Sequence, residues 1–404
     1  MTATESHTAR PGVRPTGSGV RPGVRPTGYG LIRIGSKGRG GRGERGGRGE
    51  RGGRDGRGGH GGSFLLHRRS ALVAIGLALA TAAVCVAYLC VGESFVAPAD
   101  AVRAVLHTQW GLGPATPNDL VVGTLRLPRM TLGLMVGAAF GIAGALIQTV
   151  ARNPLASPDI IGVSQGASAV TVGAMTYGVS SYAVLPYLSV LGGLAAAALV
   201  YAFAWRGGLQ AARFVLIGIG FAVALRSITH LFLTKGDYLV AQQAKVWMTG
   251  SLNGRGWAEA APLGWALLVL LPGVLWAARA QRTVSMDDDT ATALGVRLGR
   301  VRLGLVALGV VLASMATGAA GPVDFVALLA PQIARRMTRT AQIPLLCSAL
   351  TGAFIVVTAD LLARKLFAPT ELPVGVLTAA VGAPYLIHLL LSSGGRGRKG
   401  GTAA

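Results

Sequence analysis

From residue 70 onward, the chain alternates long apolar runs with short polar stretches. Several of these runs reach the roughly 20 residues that a helix needs to cross the hydrocarbon core of a bilayer. The pattern therefore predicts an all-α, polytopic membrane protein with about ten transmembrane helices. The run at 323–334 is short for a span, and we expect its helix to include the arginines that follow it. The predicted segments are 70–91, 127–150, 163–180, 184–205, 214–233, 258–278, 303–320, 323–334, 343–367 and 374–392.

The basic residues cluster in alternate loops between these segments. Because cytoplasmic loops carry an excess of Lys and Arg, the alternation predicts ten spans with both termini in the cytoplasm. Most acidic residues near membrane level lie in the opposite loops, which agrees with this orientation. The basic clusters are His67 to Arg69, Arg152, Arg206 to Arg213, Arg279 to Arg302, Arg335 to Arg339 and Arg396 to Lys399, and the acids are Glu93, Asp100, Asp119 and Glu371.

The composition agrees with a membrane protein, since 51% of the 404 residues are hydrophobic and only 13% are charged. A soluble chain of this length needs more charge to cover its surface. The formal net charge is +22, and residues 1–69, with 15 basic and 4 acidic side chains, supply half of it. The three cysteines lie in apolar runs without the spacing of a metal site, so we expect them to pack and to bind no metal.

Residues 1–69 form a low-complexity, Arg/Gly-rich stretch with almost nothing apolar to bury. Such a segment cannot offset its ordering entropy, so we predict a disordered cytoplasmic extension. The alternatives are a contact with anionic lipid, an over-called start codon, or RNA binding of the kind that Arg-Gly tails perform; we expect no nucleic-acid partner. The predicted organisation is this extension, a transmembrane domain at 70–393 and a short basic cytoplasmic tail at 394–404.

The second apolar segment contains glycines at every fourth position, namely Gly133, Gly137 and Gly141. A stripe without side chains lets neighbouring helices approach until their backbones touch, so we interpret these glycines as packing positions. The segment is followed by Asn153 and Pro154, where the proline is expected to end the helix in a turn.

Two pairs of basic residues stand on the predicted outer side, against the positive-inside trend. Arg126 and Arg129 lie three apart on one helix face at the outer end of the second segment, and Arg364 and Lys365 lie at the outer end of the ninth. Their position suggests an acidic partner outside the membrane. Asp360, the clearest acid within a span, lies four residues before Arg364 on the same face, where a structural ion pair is the simplest interpretation.

Six blocks in consistent order resemble the FecCD family of ABC importer permeases, over about residues 70–392. The resemblance implies a multi-pass permease subunit of the cytoplasmic membrane that passes iron-siderophore complexes, with haem or vitamin B12 as alternative cargo. The stretch 216–257 is most similar to permeases of ferric-enterobactin-type systems, in which two related permeases usually pair. The blocks are RLPR (126–129), RNPLASPDIIGVSQGA (152–167), WMTGSLNGRGW (247–257), DDDTATALGV (287–296), GPVDFVALLAPQIARR (321–336) and ADLLARKLFAPTELPVGVLTAAVGAPYLIHLLL (359–391).

The resemblance assigns expected roles at both mouths of the pore. The outer arginines of the family, which receive glutamates of the substrate-binding protein, are matched by Arg126, Arg129 and Arg364. The turn that narrows the cytoplasmic mouth is matched by Asn153, Pro154 and Leu155.

The family's coupling helix, which sits on the ATPase, is matched by Thr290, Ala291, Leu294 and Gly295. The local physics agrees, because the carboxylates at 287–289 suit a helix N-terminus and Gly295 suits its C-terminal end. One departure from the family is Gln332, where a histidine is common. We expect the fold to be retained there and doubt any role that requires protonation.

The chain contains no G-x-x-x-x-G-K-[ST] pattern, so it is not expected to bind the phosphates of ATP. We expect no directly bound cofactor and no enzymatic activity of its own. The resemblance implies that a partner hydrolyses the ATP. The expected partners are a second permease subunit (in a heterodimer, or alternatively a homodimer), two cytoplasmic ABC ATPase subunits, an extracytoplasmic siderophore-binding protein and the lipid bilayer.

Arg226 lies about twelve residues into the fifth predicted span, with His230 one turn later on the same face. A central arginine is costly in a bilayer and usually faces a polar cavity or a partner. We predict that both residues face the substrate pathway. The alternative is that Arg226 pairs with a carboxylate on a neighbouring span or snorkels to the membrane surface. An ion-coupled secondary transporter is the rival function, but it needs a relay of intramembrane carboxylates, and the sequence shows no such chain.

Overall fold

The structure is a computed structural model that describes residues 31–32, 66–92, 94–179, 184–205, 211–286, 288–366 and 370–394. The chain divides into two units, Met1–Arg68 and Arg69–Ala404. In the first unit, strand β1 (Leu31–Ile32) pairs antiparallel with strand β2 (Leu66–His67). The predicted disorder of residues 1–69 concerns positions that lie almost entirely outside the described residues. The same holds for the tail from residue 395 onward.

Helices make up nearly all of the second unit. A π-helical segment, Leu120–Arg126, leads directly into α3. The α-helices are α1 (Arg68–Cys90), α2 (Pro98–Trp110), α3 (Leu127–Ala151), α4 (Val163–Thr176), α5 (Leu185–Ala204), α6 (Ala211–Lys235), α7 (Tyr238–Met248), α8 (Trp257–Val284), α9 (Asp288–Ala293), α10 (Leu298–Ala320), α11 (Val326–Thr338), α12 (Leu345–Lys365) and α13 (Val374–Gly394).

The predicted all-α membrane fold is confirmed, and each of the ten predicted segments contains a helix. Within the described part of the chain, seven helical stretches are long and apolar enough to cross a membrane. The helices α4 and α11, of 14 and 13 residues, are shorter than a full crossing requires. As expected, α11 continues through the arginines at 335 and 336. The count of ten crossings and the cytoplasmic location of both termini remain predictions.

Helix α3 forms the centre of the bundle and packs against α8, α10, α11 and α12. Its glycines allow this packing, because a Cβ added at Gly137 would lie 2.3 Å from the carbonyl oxygen of Gly352, on α12. A Cβ at Gly141 would lie 2.2 Å from the carbonyl oxygen of Ser348, one turn away on the same helix. The interpretation of the glycine stripe as a packing surface is therefore confirmed.

By contrast, α1, α6 and α8 form much of the exterior of the protomer. Only 22% of the α1 span and 17% of the α6 and α8 spans is buried within the protein. Their exposed side chains are mostly apolar, such as Leu72 on α1, Leu216 on α6 and Val269 on α8. Exposed apolar faces of this kind suit contact with lipid or with other subunits, so the surface of these helices agrees with an integral membrane protein.

Candidate functional site

At the outer end of the bundle, Arg129 in the first turn of α3 binds two carboxylates. Its Nε and Nη2 donate to the two oxygens of Asp360 on α12, at 3.0 and 2.8 Å. Its Nη1 donates to Oε2 of Glu371 at 2.9 Å. Arg129 and Asp360 are only 7% and 0% exposed, so this is a buried, bidentate ion pair.

Asp360 also accepts a hydrogen bond from the Tyr88 hydroxyl of α1. The guanidinium of Arg364 stacks over the Tyr88 ring, 4.0 Å from its centroid. Its Nε lies 4.0 Å from Asp360 Oδ2, and neither Nε nor Nη2 has a hydrogen-bond acceptor among the described residues. The predicted ion pair of Asp360 with Arg364 is therefore present, at 4.0 Å. The cation that is hydrogen-bonded to Asp360 is Arg129, which reaches it from another helix and was not predicted.

Arg126 lies at the end of the π-helical segment and is 5% exposed. Its Nη1 and Nη2 donate to the carbonyl oxygens of Leu89 and Ser94, at 2.6 and 2.7 Å. The three arginines with a predicted docking role thus lie at the same end of the bundle, where Arg126 and Arg129 are buried and the side chain of Arg364 is 11% exposed. The sequence suggested that these arginines meet an acidic partner outside the membrane. In the structure, Arg129 instead pairs with two carboxylates of the same chain, Asp360 and Glu371. The docking role itself remains a prediction.

At the other end of α3, the helix ends at Arg152, whose φ of 49° is left-handed. The Asn153 side chain then accepts the backbone N–H of Leu155 at 2.9 Å, which closes a turn around Pro154. Asn153 is exposed, while Pro154 and Leu155 are half-buried. The predicted end of the helix is confirmed, and the role of these three residues as a gate remains a prediction.

The expected coupling segment forms the short helix α9 and the turn that follows it. The exposed side chains of Thr290 and Leu294, the latter 67% exposed, project from this segment, whereas Ala291 is buried. Gly295 has a φ of 77°, and the N–H of Val296 bonds back to the carbonyl of Ala291 at 3.1 Å. Gly295 therefore ends the helix as predicted. Asp287 lies outside the described residues.

One carboxylate connects α9 to the end of α3. Asp288 Oδ1 accepts from Arg152 Nη2 at 2.5 Å and from Arg302 Nη2 at 2.7 Å. The hydrogen bond from Arg302, together with that from Arg152 and the charges of both, holds the pKa of Asp288 below its usual value. Sequence reasoning placed all three residues in basic or acidic loops without predicting this contact.

Arg226 and His230 both lie on the exposed surface of α6, with Ser227 beside them, whereas Thr229 is buried. The structure thus places the two predicted pathway residues on one exposed face of the protomer. A charged side chain at this depth is expected to meet a partner subunit or a water-filled pathway rather than lipid.

Gln332 lies in the middle of α11 and is 1% exposed. Its side-chain amide donates to Gln148 Oε1 on α3, and its own Oε1 accepts from Arg335 at 2.9 Å. Gln148 in turn donates to the carbonyl of Leu328 at 3.1 Å. The buried amides therefore satisfy one another and join α3 to α11, as the expectation of a retained fold requires.

A cavity of about 390 Å³ lies beside the end of α3. Its walls are mostly apolar, from α3, α6 and α10, and its rim includes Arg152, Asp288 and Arg302. Among the described residues, His, Cys, Asp and Glu form no cluster that could hold a metal ion.

The sequence of this chain is similar to a known protein family and to several characterised relatives. The model of the FecCD transport family matches residues 78–392. The ferric enterobactin transport system permease protein FepG of Escherichia coli (strain K12) is 42% identical over 67% of this chain and 82% of its own length. The achromobactin transport system permease protein CbrC of Dickeya dadantii (strain 3937) is 38% identical, over 76% of this chain and 88% of its own length.

A solved structure of a metal-chelate type ABC transporter in an inward-facing conformation has a TM-score of 0.68 and 26% identity. It covers 80% of this chain and 99% of its own. The similarity thus extends through most of the helical unit, and it includes all six blocks that suggested the family from sequence. The chain belongs to the FecCD transport family.

Proposed function

We propose that this chain is the permease subunit of an ABC importer that passes iron-siderophore complexes across the cytoplasmic membrane. The observation that carries the proposal is the family match over residues 78–392 together with relatives named as ferric enterobactin and achromobactin permeases. In this proposal the chain has ten spans and cytoplasmic termini, it has no ATPase site, and ATP is hydrolysed by a partner.

The proposed complex contains two permease subunits, two cytoplasmic ABC ATPase subunits and an extracytoplasmic siderophore-binding protein. The second permease is a related chain in a heterodimer, with a homodimer as the alternative. The exposed face of α6 that carries Arg226 and His230 supports such a pairing, because a charged residue at membrane depth requires a polar neighbour. In this proposal, that face borders the pathway between the two permeases.

Transport by the reconstituted complex tests the proposal. The tagged chain is purified with its co-purifying subunits, reconstituted into proteoliposomes with the binding protein, and supplied with ATP inside. We expect ATP-dependent uptake of a ferric siderophore, and none when the ATPase carries an inactivated phosphate-binding loop. Uptake of haem or vitamin B12 in preference to every ferric siderophore would overturn the cargo assignment, and uptake driven by an ion gradient without ATP would overturn the class.

Docking of the binding protein requires a separate measurement, since Arg129 is bonded to Asp360 and Glu371 and cannot be reversed without breaking a buried pair. Among the described residues, Arg126 donates to the carbonyl oxygens of Leu89 and Ser94 and to the Ser94 hydroxyl, and to no carboxylate. We expect Arg126→Gln to weaken binding of the binding protein about tenfold, and to flatten its dependence on salt. The matched control is Arg103→Gln on α2, an arginine that is 69% exposed. Equal binding by both variants would contradict a docking role for Arg126.

A further inference from the structure

The residues around Asp288 connect two regions with different proposed roles. Asp288 is the first residue of α9, the helix expected to contact the ATPase. Arg152 is the residue that ends α3, and it is bonded covalently to Asn153, the first residue of the expected gate turn. The 2.5 Å contact between the two side chains therefore links the helix expected to contact the ATPase directly to the residue before the expected gate turn.

Further hydrogen bonds hold both side chains of the contact between Arg152 and Asp288 in place. Arg302 of α10 donates to the same oxygen of Asp288 at 2.7 Å, and its side chain is only 17% exposed. Arg152 Nη2 also donates to the backbone carbonyl of Met286 at 2.9 Å, next to the start of α9. Because the carboxylate and the backbone before α9 hold the same guanidinium group, a displacement of α9 acts directly on Arg152.

The residues on either side of the gate turn border free volume. The cavity of about 390 Å³ is lined by Ala156 and Ser157, which follow the turn, and by Phe214 of α6 and Val306 of α10. Arg152, Asp288 and Arg302 lie at the same cavity. Since close-packed interiors resist displacement, an adjoining cavity gives the turn room to shift that the glycine-packed middle of α3 does not have.

We propose that Asp288, held between Arg302 and Arg152, transmits the position of α9 to the turn at Asn153–Leu155. Arg302 is the anchor, Asp288 the link and Arg152 the receiving group, so all three are positioning residues that need not touch cargo or nucleotide. The inference rests on the proposed function, because it requires α9 to follow the ATPase. Exposed ion pairs contribute little to stability, so loss of the link is expected to change coupling and to leave the fold intact.

The test compares Asp288→Asn and Arg302→Gln with Arg300→Gln in the reconstituted complex. Arg300 is exposed and lies two residues before Arg302, so its replacement removes the same charge at the same end of α10 without touching Asp288. We expect Asp288→Asn and Arg302→Gln each to lower the stimulation of ATP hydrolysis by loaded binding protein at least tenfold. The yield of assembled complex should be unchanged. Asp288→Glu is expected to recover most of the stimulation, and Arg300→Gln to behave as the unaltered chain.

A second readout reports on the turn itself. With Cys85, Cys90 and Cys347 replaced, a cysteine at Leu155 is treated with a thiol reagent, with and without a non-hydrolysable ATP analogue. We expect the nucleotide analogue to change the labelling rate of this cysteine at least fivefold when Asp288 is retained. With Asp288→Asn, the change should be less than twofold. An equal nucleotide response in both would overturn the inference, as would dissociation of the ATPase from Asp288→Asn, which would make Asp288 a docking residue. Failure of the unaltered complex to import any ferric siderophore would instead count against the proposed function, while the labelling comparison would still decide this inference.

Discussion

Replacing Asp360 with asparagine removes one negative charge from the outer end of the bundle and leaves the shape of the side chain almost unchanged. The folded protein then retains Arg129, 7% exposed, without its main counter-ion. Removal of one partner of a buried ion pair typically costs about 3–5 kcal/mol. Glu371, whose side chain is 33% exposed, still accepts one hydrogen bond from Arg129, so we expect a loss at the lower end of that range.

The free energy of unfolding is measured by titrating the purified protein in mixed micelles with denaturing detergent. The matched control is Arg364→Gln, which loses its contact with the Tyr88 ring and its 4.0 Å approach to Asp360. It also removes two buried nitrogens that have no acceptor among the described residues. A cation–π contact contributes about 0.5–2 kcal/mol and a buried unsatisfied donor costs about 1–3 kcal/mol. The two effects oppose each other, so we expect Arg364→Gln to change stability by less than about 1 kcal/mol.

The double variant Arg129→Met/Asp360→Leu provides the second comparison. Replacing both charges with apolar side chains removes the buried charge that the single variant leaves behind, so the double variant should be more stable than Asp360→Asn. If Asp360→Asn costs less than about 1 kcal/mol, or if the double variant is the less stable of the two, the pair is not held away from water as the structure indicates.

Three further predictions concern orientation, coupling and the pathway. A cysteine at Gly236, just after α6, should react with an impermeant thiol reagent from outside, whereas one at Gly299 in the first turn of α10 should not; the reverse result would contradict the predicted topology. Leu294→Asp puts a charge on an exposed apolar side chain of the coupling segment and should release the ATPase during purification, so undiminished co-purification would place the contact elsewhere. Arg226→Gln should slow uptake of an anionic ferric catecholate several-fold more than that of a neutral hydroxamate, at equal expression; equal effects would indicate a structural role.

The helices were largely predictable, because apolar runs of bilayer length leave a chain few alternatives to membrane-spanning helices. The helices α2 and α7 were not predicted, since their short sequences mix polar and apolar residues and lack the long apolar run that reveals a span. The ends of α3 and α9 were predictable from local chemistry, from Pro154 after the first and from Gly295 after the second.

The pairing of charges was not predictable to the same extent. Arg364 lies four residues after Asp360, which is the spacing of a helical ion pair, and that pair is present at 4.0 Å. The spacing gave no sign of the second, hydrogen-bonded partner. Arg129, 231 residues away in sequence, forms the bonded pair because the glycine contacts bring α3 against α12. A single sequence indicates which residues lie on one helix face, but it does not indicate which faces meet.

Helix α3 carries a polar network at each end, Arg129 in its first turn and Arg152 after its last. Between them, α3 contacts the backbone of α12 so closely at Gly137 that neither helix can slide without breaking the contact. A displacement at Arg152 is therefore expected to move α3 and α12 together. The bond between Arg129 and Asp360 lies within that pair of helices and moves with it. Glu371, in the segment before α13, and Tyr88, on α1, lie outside the pair, so their contacts with Arg129 and Asp360 are bonds that such a movement would change.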